Sequence, residues 1–318
     1  LNLFQAGGGN FFPTLSSLAN TFTGGVSFTN GLICTLTVSS FADSAAYGTG
    51  NIRFGAGGAG GHTFTLASTA VASLILNNRQ FELAGSASGT ISNDSGQAFT
   101  INSDLLVTLT ANRTLTLGGT GGGTSTFAGR IADGASSVVG LAKSGTGTWL
   151  LSGTNSYSGG TTLSAGTLQI TNPSAMGPGA VTFNGGTLKA SGTDITLANA
   201  SLISATNSTI SGTQSLTLSG GLTNNLGNGT LSSSITPGAG NKLLTITGTT
   251  FLQESTATTG RTFTLAGTGN TTFSGPIVDG GVSGASNFTI TNTGTTTLSA
   301  ANTYTGTTTI SNGVLRIG

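Results

Sequence analysis

The amino-acid sequence predicts an all-β chain that winds into a parallel β-solenoid (β-helix) built from degenerate repeats. Three observations lead to this fold class: a long phrase that recurs, short runs of alternating apolar and polar residues, and glycine or asparagine between the runs. Composition agrees with it, since charged residues are 5% of the 318-residue chain and glycine supplies 54 positions. Charged helix formers are therefore scarce, whereas threonine, serine, glycine and asparagine fill the intervals.

The recurring phrase is clearest around three aromatic residues, Phe22, Tyr157 and Tyr304. Each follows an asparagine by two residues and precedes serine or threonine and then glycine, with spacings of 157 − 22 = 135 and 304 − 157 = 147 residues. Such long-period similarity is typical of solenoids, whose corners accept insertions. We predict a single continuous solenoid over residues 1–318, with repeat phases near 18–55, 153–190 and 300–318.

The strands are predicted from runs such as "HTFTLA", "RTLTLG", "SLTLSG" and "NFTITN". Alternate side chains of a strand point to opposite faces, so the aliphatic residues form an inner face and threonine or serine an outer one. No run is long enough for a helix, which excludes βαβ crossovers. Sandwiches do not usually extend by repeating so long a phrase, and glycine or asparagine at each corner supplies the positive φ angles that tight turns need.

The stretch "LAKSGTGTWLLSGTNSYSGGTTLSAGTLQITNPSAMGPGAVTFNGGTLKASG" at 141–192 resembles the autotransporter-associated β-strand repeat, also called the passenger-associated transport repeat. The copy at 292–318 agrees over its length, and the copy at 18–55 is looser. The resemblance implies a secreted or surface-displayed bacterial protein with a long parallel β-helical passenger. Neither a signal peptide nor a C-terminal membrane barrel is expected within these residues.

Catalytic chemistry finds little support, because the acidic residues are scattered singly along the chain. They are Asp43, Glu82, Asp94, Asp104, Asp133, Asp194, Glu254 and Asp279. Asp133 and Asp279 alone are related by the repeat, in "RIADGA" and "PIVDGG", where Arg130 of the first copy is replaced by Pro276. Both precede glycine, so we interpret them as turn residues, with a binding or catalytic pair as the alternative.

Three residues that occur once each are interpreted structurally. His62 has no second histidine for a metal site and is expected at the surface or at a corner. Cys34 cannot form an intramolecular disulfide and is expected to face inward, the alternative being a reactive thiol. Trp149 shares the parity of Leu151 and is expected in the core, with sugar stacking as the alternative. No catalytic, cofactor-binding or metal-ligating residue is predicted.

Two glycine-rich segments are assigned to corners. "GAGGAG" at 55–60 matches a dinucleotide-binding pattern but leads into a strand, and "GGTGGG" at 118–123 lacks the ending of a phosphate-binding loop. The Thr-x-Thr runs raise a further hypothesis, because threonines ranked on one solenoid face can bind ice or a crystalline polymer. Since these runs show no constant period, the sequence disfavours it.

The sequence therefore predicts a non-catalytic, extracellular protein of a bacterial surface, a β-solenoid rod that assembles into filaments or acts as an adhesive passenger. Two alternatives are a passenger that binds glycans or receptors and a β-helical enzyme that cleaves polysaccharides. The expected partner is the chain itself, head to tail and also laterally, with surface glycans as a further candidate. A net charge of +1 and the lack of a long apolar run argue against nucleic acid and a membrane-spanning segment.

Overall fold

A computed structural model of the chain describes residues 50–55, 62–66, 70, 73–85, 88–235, 241–254, 256–281 and 283–318, and the strands at 2–4, 14–15, 26–29 and 34–38. These residues form two compact units, Leu1–Thr161 with Ser174–Gly177 and Thr162–Pro173 with Pro178–Gly318. Each unit by itself is a solenoid of parallel sheets, which confirms the predicted fold class. One continuous solenoid over residues 1–318 stays a prediction.

The strands of the first unit, in chain order, are β1 (Asn2–Phe4), β2 (Thr14–Leu15), β3 (Val26–Thr29), β4 (Cys34–Val38), β5 (Ile52–Phe54), β6 (His62–Leu66), β7 (Leu74–Leu76), β8 (Phe81–Gly85), β9 (Gly89–Asn93), β10 (Phe99–Ile101), β11 (Leu106–Leu109), β12 (Arg113–Gly118), β13 (Thr124–Phe127), β14 (Val139–Lys143) and β15 (Thr148–Leu151). They form three parallel sheets, ordered β1-β3-β5-β8-β11, β2-β4-β6-β9-β12-β14 and β7-β10-β13-β15. Strand β16 (Thr161–Leu163) begins at the boundary of the units.

The strands of the second unit are β17 (Thr167–Ile170), β18 (Val181–Phe183), β19 (Thr187–Ala190), β20 (Ile195–Leu197), β21 (Ser201–Ile203), β22 (Ser208–Gly212), β23 (Leu216–Leu218), β24 (Leu222–Asn224), β25 (Asn228–Ile235), β26 (Leu244–Ile246), β27 (Thr250–Phe251), β28 (Thr262–Gly267), β29 (Thr271–Phe273), β30 (Ile277–Val278), β31 (Asn287–Ile290), β32 (Thr295–Leu298), β33 (Thr308–Ile310) and β34 (Val314–Ile317). Their parallel sheets are ordered β17-β19-β22-β25-β28-β31-β33, β18-β21-β24-β27-β30 and β20-β23-β26-β29-β32-β34. We call the last of these the ladder sheet. A 3-10 helix spans Pro173–Met176, and the described residues contain no α-helix.

The core of each unit consists of inward side chains stacked in columns from coil to coil. In the ladder sheet one column holds Leu197, Leu218, Ile246, Phe273 and Leu298, each at most 3% exposed. Each side chain packs on its counterpart in the neighbouring coil, so every added coil buries apolar surface of both coils. This burial stabilises the fold by about 25 cal/mol for each Å² of apolar surface removed from water. The alternation of aliphatic and hydroxyl residues in the sequence thereby fixes which face of each strand turns inward.

In the first unit, aromatic rings also form part of the core and contact one another. The rings of Phe54 and Phe81 stack at a centroid distance of 5.7 Å, and Phe64 meets Phe81 edge-on at 5.3 Å. The Trp149 ring makes a T-shaped contact with Phe99 at 5.9 Å. Such pairs contribute beyond the area they bury, because ring edges and faces carry opposite partial charge.

The coils differ in length although their strands stay paired. A short coil brings Thr187 beside Thr167, whereas the coil that brings Thr262 beside Asn228 is longer by more than half. The longer coil contains the eight-residue β25 and the additional strand β26, and longer connections between strands cost little additional loop entropy. The faces of the solenoid therefore remain in register while the corners vary.

The "GGTGGG" corner at 118–123 leads from β12 into β13, as expected of a corner between strands. Gly119 has a φ of +109°, and a Cβ atom there lies 2.1 Å from the carbonyl oxygen of Asn93 in the preceding coil. In the same corner, a Cβ atom on Gly122 meets no atom within 4 Å. Gly119 is thus required both by its backbone conformation and by the close approach of two coils.

Replacing Gly119 by alanine is expected to lower the free energy of unfolding by about 1–3 kcal/mol, the range for a residue held in a disfavoured backbone region, with relief of the clash adding to it. Gly122→Ala in the same corner is the matched control and is expected to change it by less than about 0.5 kcal/mol. Urea unfolding followed by circular dichroism measures both. Equal effects of the two substitutions contradict the coil-to-coil contact at Gly119.

Candidate functional site

The repeated phrase folds into a corner that bonds to the coil before it. The carboxylate of Asp133 accepts hydrogen bonds from the Ser158 amide at 3.1 Å and the Ser158 hydroxyl at 2.6 Å, and one from the Val139 amide at 2.8 Å. The side-chain oxygen of Asn155 accepts a hydrogen bond from the Ile131 amide at 2.8 Å. We call the Asp133–Ser158 and Asn155–Ile131 contacts, and their equivalents in the other copy, the corner latch.

The second copy of the phrase has the same latch. The carboxylate of Asp279 accepts hydrogen bonds from the Thr305 amide at 3.0 Å, the Thr305 hydroxyl at 2.8 Å and the Ser286 amide at 2.9 Å. Asn302 accepts one from the Ile277 amide at 2.9 Å. The two acids related by the repeat are therefore corner residues that tie one coil to the next within their own units, which agrees with the turn interpretation.

The aromatic residue of the phrase packs beneath this corner. Tyr157 is fully buried, and its hydroxyl lies 2.6 Å from the hydroxyl of Thr161. Burial raises the pKa of Tyr157, since the phenolate is disfavoured away from water. Tyr304 makes the same hydroxyl contact with Thr308. Phe22, the third aromatic residue of the series, lies outside the described residues.

The electrostatics of Asp133 follow from the latch. Partial burial acts to raise its pKa, but the hydrogen bonds from the Ser158 side chain and from the Val139 and Ser158 amides outweigh burial, and the pKa is lowered below its usual value of 3.8. An acid with a lowered pKa in the folded state is ionised at neutral pH and suited to accepting hydrogen bonds. It is unsuited to the role of a general acid near pH 7.

The other described acids are also engaged with protein groups. Asp94 accepts hydrogen bonds from the amide and hydroxyl of Thr120, at 2.9 and 3.2 Å. The rest form ion pairs, namely Arg53–Glu82 at 3.3 Å, Arg130–Asp104 at 3.7 Å, Lys242–Asp194 at 2.7 Å and Arg261–Glu254. The hydrogen bond from Lys242 is the main cause of a lowered pKa at Asp194. Asp43 lies outside the described residues.

The single-occurrence residues have different outcomes. His62 is the first residue of β6 and only 1% exposed, so it is a buried residue and not the expected surface one; it shares the inward parity of Phe64. Burial lowers its pKa, opposed by a contact with the carbonyl oxygen of Gly55 at 3.3 Å. The core position of Trp149 is confirmed by 1% exposure, and its Nε1 donates to the Gly118 carbonyl oxygen at 2.8 Å.

Cys34 begins β4, and the direction of its side chain lies outside what the structure describes, as do residues 56–60 of the first glycine-rich segment. Lys143 is a buried lysine that the sequence did not single out. It donates hydrogen bonds to the carbonyl oxygens of Ser144 and Gly145, and burial lowers its pKa to about 8. Its Nζ therefore caps a corner of the backbone.

An open groove of about 260 Å³ lies on the outer side of the first unit, lined by Asn112, Arg113, Thr114, Val138, Gly140 and Gly159. Arg113 supplies its only ionisable side chain, so the groove lacks an acid–base pair for hydrolysis or elimination. Across the described parts of the chain, no three histidine, cysteine, aspartate or glutamate side chains are grouped closely enough to hold a metal ion.

A column of threonines stands on the outward side of the ladder sheet. Thr196, Thr217, Thr245, Thr272 and Thr297 occupy one register position on β20, β23, β26, β29 and β32, and we call them the threonine ladder. All five are half-buried or exposed. Their spacings along the chain are unequal because the corners differ in length; the step from Thr196 to Thr217 is the shortest and the step from Thr217 to Thr245 the longest.

The threonines have no constant period along the chain, as the sequence indicated, but registered strands still align them in this sheet. Aligning the strands on their inward aliphatic pairs, such as Ile195 with Leu197 and Leu216 with Leu218, is the signal that reveals the ladder. Counting the residues between threonines does not reveal the ladder, because the count includes corner residues, whose number varies from coil to coil.

A helix with the length and apolarity needed to cross a membrane is not found in the described parts of the chain.

Comparison with known proteins confirms the resemblance drawn from the sequence. Residues 141–170 and 288–317 match the family described as the passenger-associated-transport-repeat. A relative, the adhesin BmaC autotransporter of Brucella suis biovar 1 (strain 1330), is 36% identical over 91 residues, 29% of this chain. The aligned part is about 2% of that adhesin's own length. No solved structure matches the chain.

Substituting asparagine for Asp133 is expected to lower the free energy of unfolding at pH 7 by about 1 kcal/mol, because the hydrogen bonds from Ser158 are exposed to solvent and asparagine keeps one acceptor oxygen. The pKa of Asp133 is lowered on folding, so its contribution is complete above the unfolded value near 3.8 and is lost as pH falls through the folded value. The difference between variant and wild type, measured by urea unfolding, is expected to shrink below pH 3.8. Asp279→Asn is the matched variant in the second copy, and a difference that does not vary with pH contradicts the ionised latch.

Proposed function

We propose that this chain is part of the exported passenger of a bacterial surface adhesin, exposed outside the cell and acting by binding without catalysis. The observation that carries the proposal is the repeat itself. Two segments match the passenger-associated-transport-repeat, and the aligned relative is named an autotransporter adhesin. A solenoid suits this role, because its outer faces present a large, rigid surface whose composition can vary independently of the core.

The contacts of the acidic residues support the non-catalytic part of the proposal. Asp133 and Asp279 serve the corner latch, and the acids in ion pairs face basic side chains of their own unit. A polysaccharide-cleaving enzyme needs carboxylates placed a few ångströms apart around the sugar. The alternative is an enzyme, a polyuronate lyase or hydrolase. The contacts of the described carboxylates do not favour it.

Beads carrying the purified chain are expected to be retained on host cells and their extracellular matrix more strongly than albumin-coated beads, because the outer faces bind cell-surface groups. Retention is measured by fluorescence after washing, and free chain is added as a competitor to show that the sites saturate. Retention at the albumin level, or retention that free chain does not reduce, contradicts the adhesive role. New reducing ends or unsaturated products from polygalacturonate incubated with the chain contradict the non-catalytic role.

A second element of the proposal is head-to-tail self-association, supported by the coil at residues 307–318. Ile310 and Ile317 are 50% and 74% exposed there. The matching residues of the first copy, Leu163 and Ile170, are fully buried, and the Leu163 carbonyl oxygen accepts a backbone hydrogen bond from the next coil. In the first copy a parallel coil covers the equivalent surface, and we propose that a second copy of the chain can supply such a coil here.

The average mass of the chain is expected to rise with concentration in sedimentation equilibrium, and the double substitution of Ile310 and Ile317 by threonine is expected to reduce the rise. Threonine keeps the β propensity but removes much of the apolar surface. Ile75→Thr is the matched control, since Ile75 is also 50% exposed but lies on the outer face of β7. A wild-type chain that stays monomeric, or an equal effect of the control, contradicts head-to-tail stacking.

A further inference from the structure

The threonine ladder is part of a wider array of hydroxyl groups. Two residues beyond each ladder threonine lie Ser219, Thr247, Ser274 and Ser299, all exposed, with alanine at the corresponding position of the first rung. Their amides bond to the preceding coil in the same way, for example Thr247 to the Leu218 carbonyl oxygen at 3.0 Å. Five rungs therefore carry two parallel columns of small hydroxyl side chains, with one gap.

The geometry of this array is set by the backbone. Neighbouring parallel strands lie about 4.8 Å apart, and residues two apart on a strand are about 6.6 Å apart. Buried neighbours hold each ladder threonine on both sides, Leu244 and Ile246 in the case of Thr245. Threonine is β-branched and its χ1 rotation is restricted, so the hydroxyl and methyl groups are ordered before any ligand arrives.

The charge and shape of the array select the ligand. The ladder and the adjoining column carry no charge; Asp194 and Lys242 at one edge neutralise each other at 2.7 Å, and Arg316 continues the ladder position on β34. The outward residues of the five ladder strands include no aromatic ring on which a sugar could stack. Within its five rungs the array thus lacks a charged group that would recognise an anion and an aromatic ring that would stack on a soluble oligosaccharide.

A single hydroxyl contact competes with water and adds little net free energy, so binding requires many contacts made at once. Only a rigid ligand that repeats in two dimensions can meet both columns together. Each water molecule of an ice surface both donates and accepts hydrogen bonds, as a threonine or serine hydroxyl can. The Ser219 and Ser274 hydroxyls donate to the carbonyl oxygens of Leu197 and Ile246, at 3.1 and 3.5 Å, and can accept hydrogen bonds from such water. Methyl groups between the hydroxyls add apolar contact without charge.

We propose that the threonine ladder and its adjoining hydroxyl column form an ice-binding face. Waters bridging the hydroxyls join the protein to the lattice, and rotation of the bound side chains costs little because they are already ordered. This inference goes beyond the adhesive role and does not depend on it, because a chain that fails to retain beads on cells can still bind ice.

The test uses the full purified chain, labelled with a fluorophore and mixed with slowly growing polycrystalline ice. Wild type is expected to be incorporated into the ice and to slow recrystallisation, whereas albumin is excluded. Placing lysine at Thr245 and Thr272 together is expected to raise the concentration needed to slow recrystallisation roughly tenfold, which corresponds to about 1.4 kcal/mol. Thr223→Lys is the matched control and is expected to leave activity unchanged.

Thr223 suits the control because it is half-buried and central in β24, between buried residues, as Thr245 is in β26. Its outward neighbours in register are Leu202 and Phe251, so it belongs to no hydroxyl column. Valine at both Thr245 and Thr272 retains the methyl groups and the strand propensity. It is expected to weaken activity as well, and keeps the test valid if the lysine variant fails to fold.

Several outcomes overturn the proposal. The proposal is overturned if the wild-type chain is excluded from ice as albumin is. It is also overturned if the activity on ice survives the substitutions at Thr245 and Thr272. A shorter threonine column, Thr230, Thr264, Thr289 and Thr309, lies on another sheet of the second unit. Loss of activity in Thr264→Lys alone moves the site there and overturns the assignment. So does ladder-dependent binding to crystalline cellulose or chitin without activity on ice.

Discussion

The structure depends on one constraint, that each coil places its inward side chains directly upon those of the coil before it. Parallel strands held in register bring Leu197, Leu218, Ile246, Phe273 and Leu298 into a single column. Because consecutive side chains of a strand alternate between faces, the same register aligns the outward residues. Core packing and surface pattern are therefore two results of the same backbone pairing.

Polar residues occupy the corners, which lie outside the stacked strands. A corner cannot pair its backbone within a sheet, and Asn155 and Asp133 supply acceptors to backbone amides of neighbouring coils. Asn155 also donates to the Ala175 carbonyl oxygen at 2.7 Å, so its amide spans coils on both sides. Among the described residues, Asp133, Asp279, Asn155 and Asn302 stabilise corners in this way.

The sequence was sufficient to predict the parts of the fold that depend on local alternation. Strand faces, the buried Trp149 and the turn role of Asp133 all follow from parity or from the neighbouring glycine. The burial of His62 was not predicted, although it follows from parity, because His62 lies two residues before the inward-facing Phe64 in the same strand. The threonine ladder was missed for a physical reason: a linear count includes the corners, whereas contact between coils depends on strands alone. The corner latch was missed because it joins residues about one coil apart.

Because corners of unequal length connect strands that stay in register, insertions in corners and substitutions in strands have different effects on the fold. An insertion in a corner lengthens one loop, while the faces on either side keep their neighbours and their chemistry. Mutation can therefore vary the corners of a unit while the strands that carry its faces keep their register.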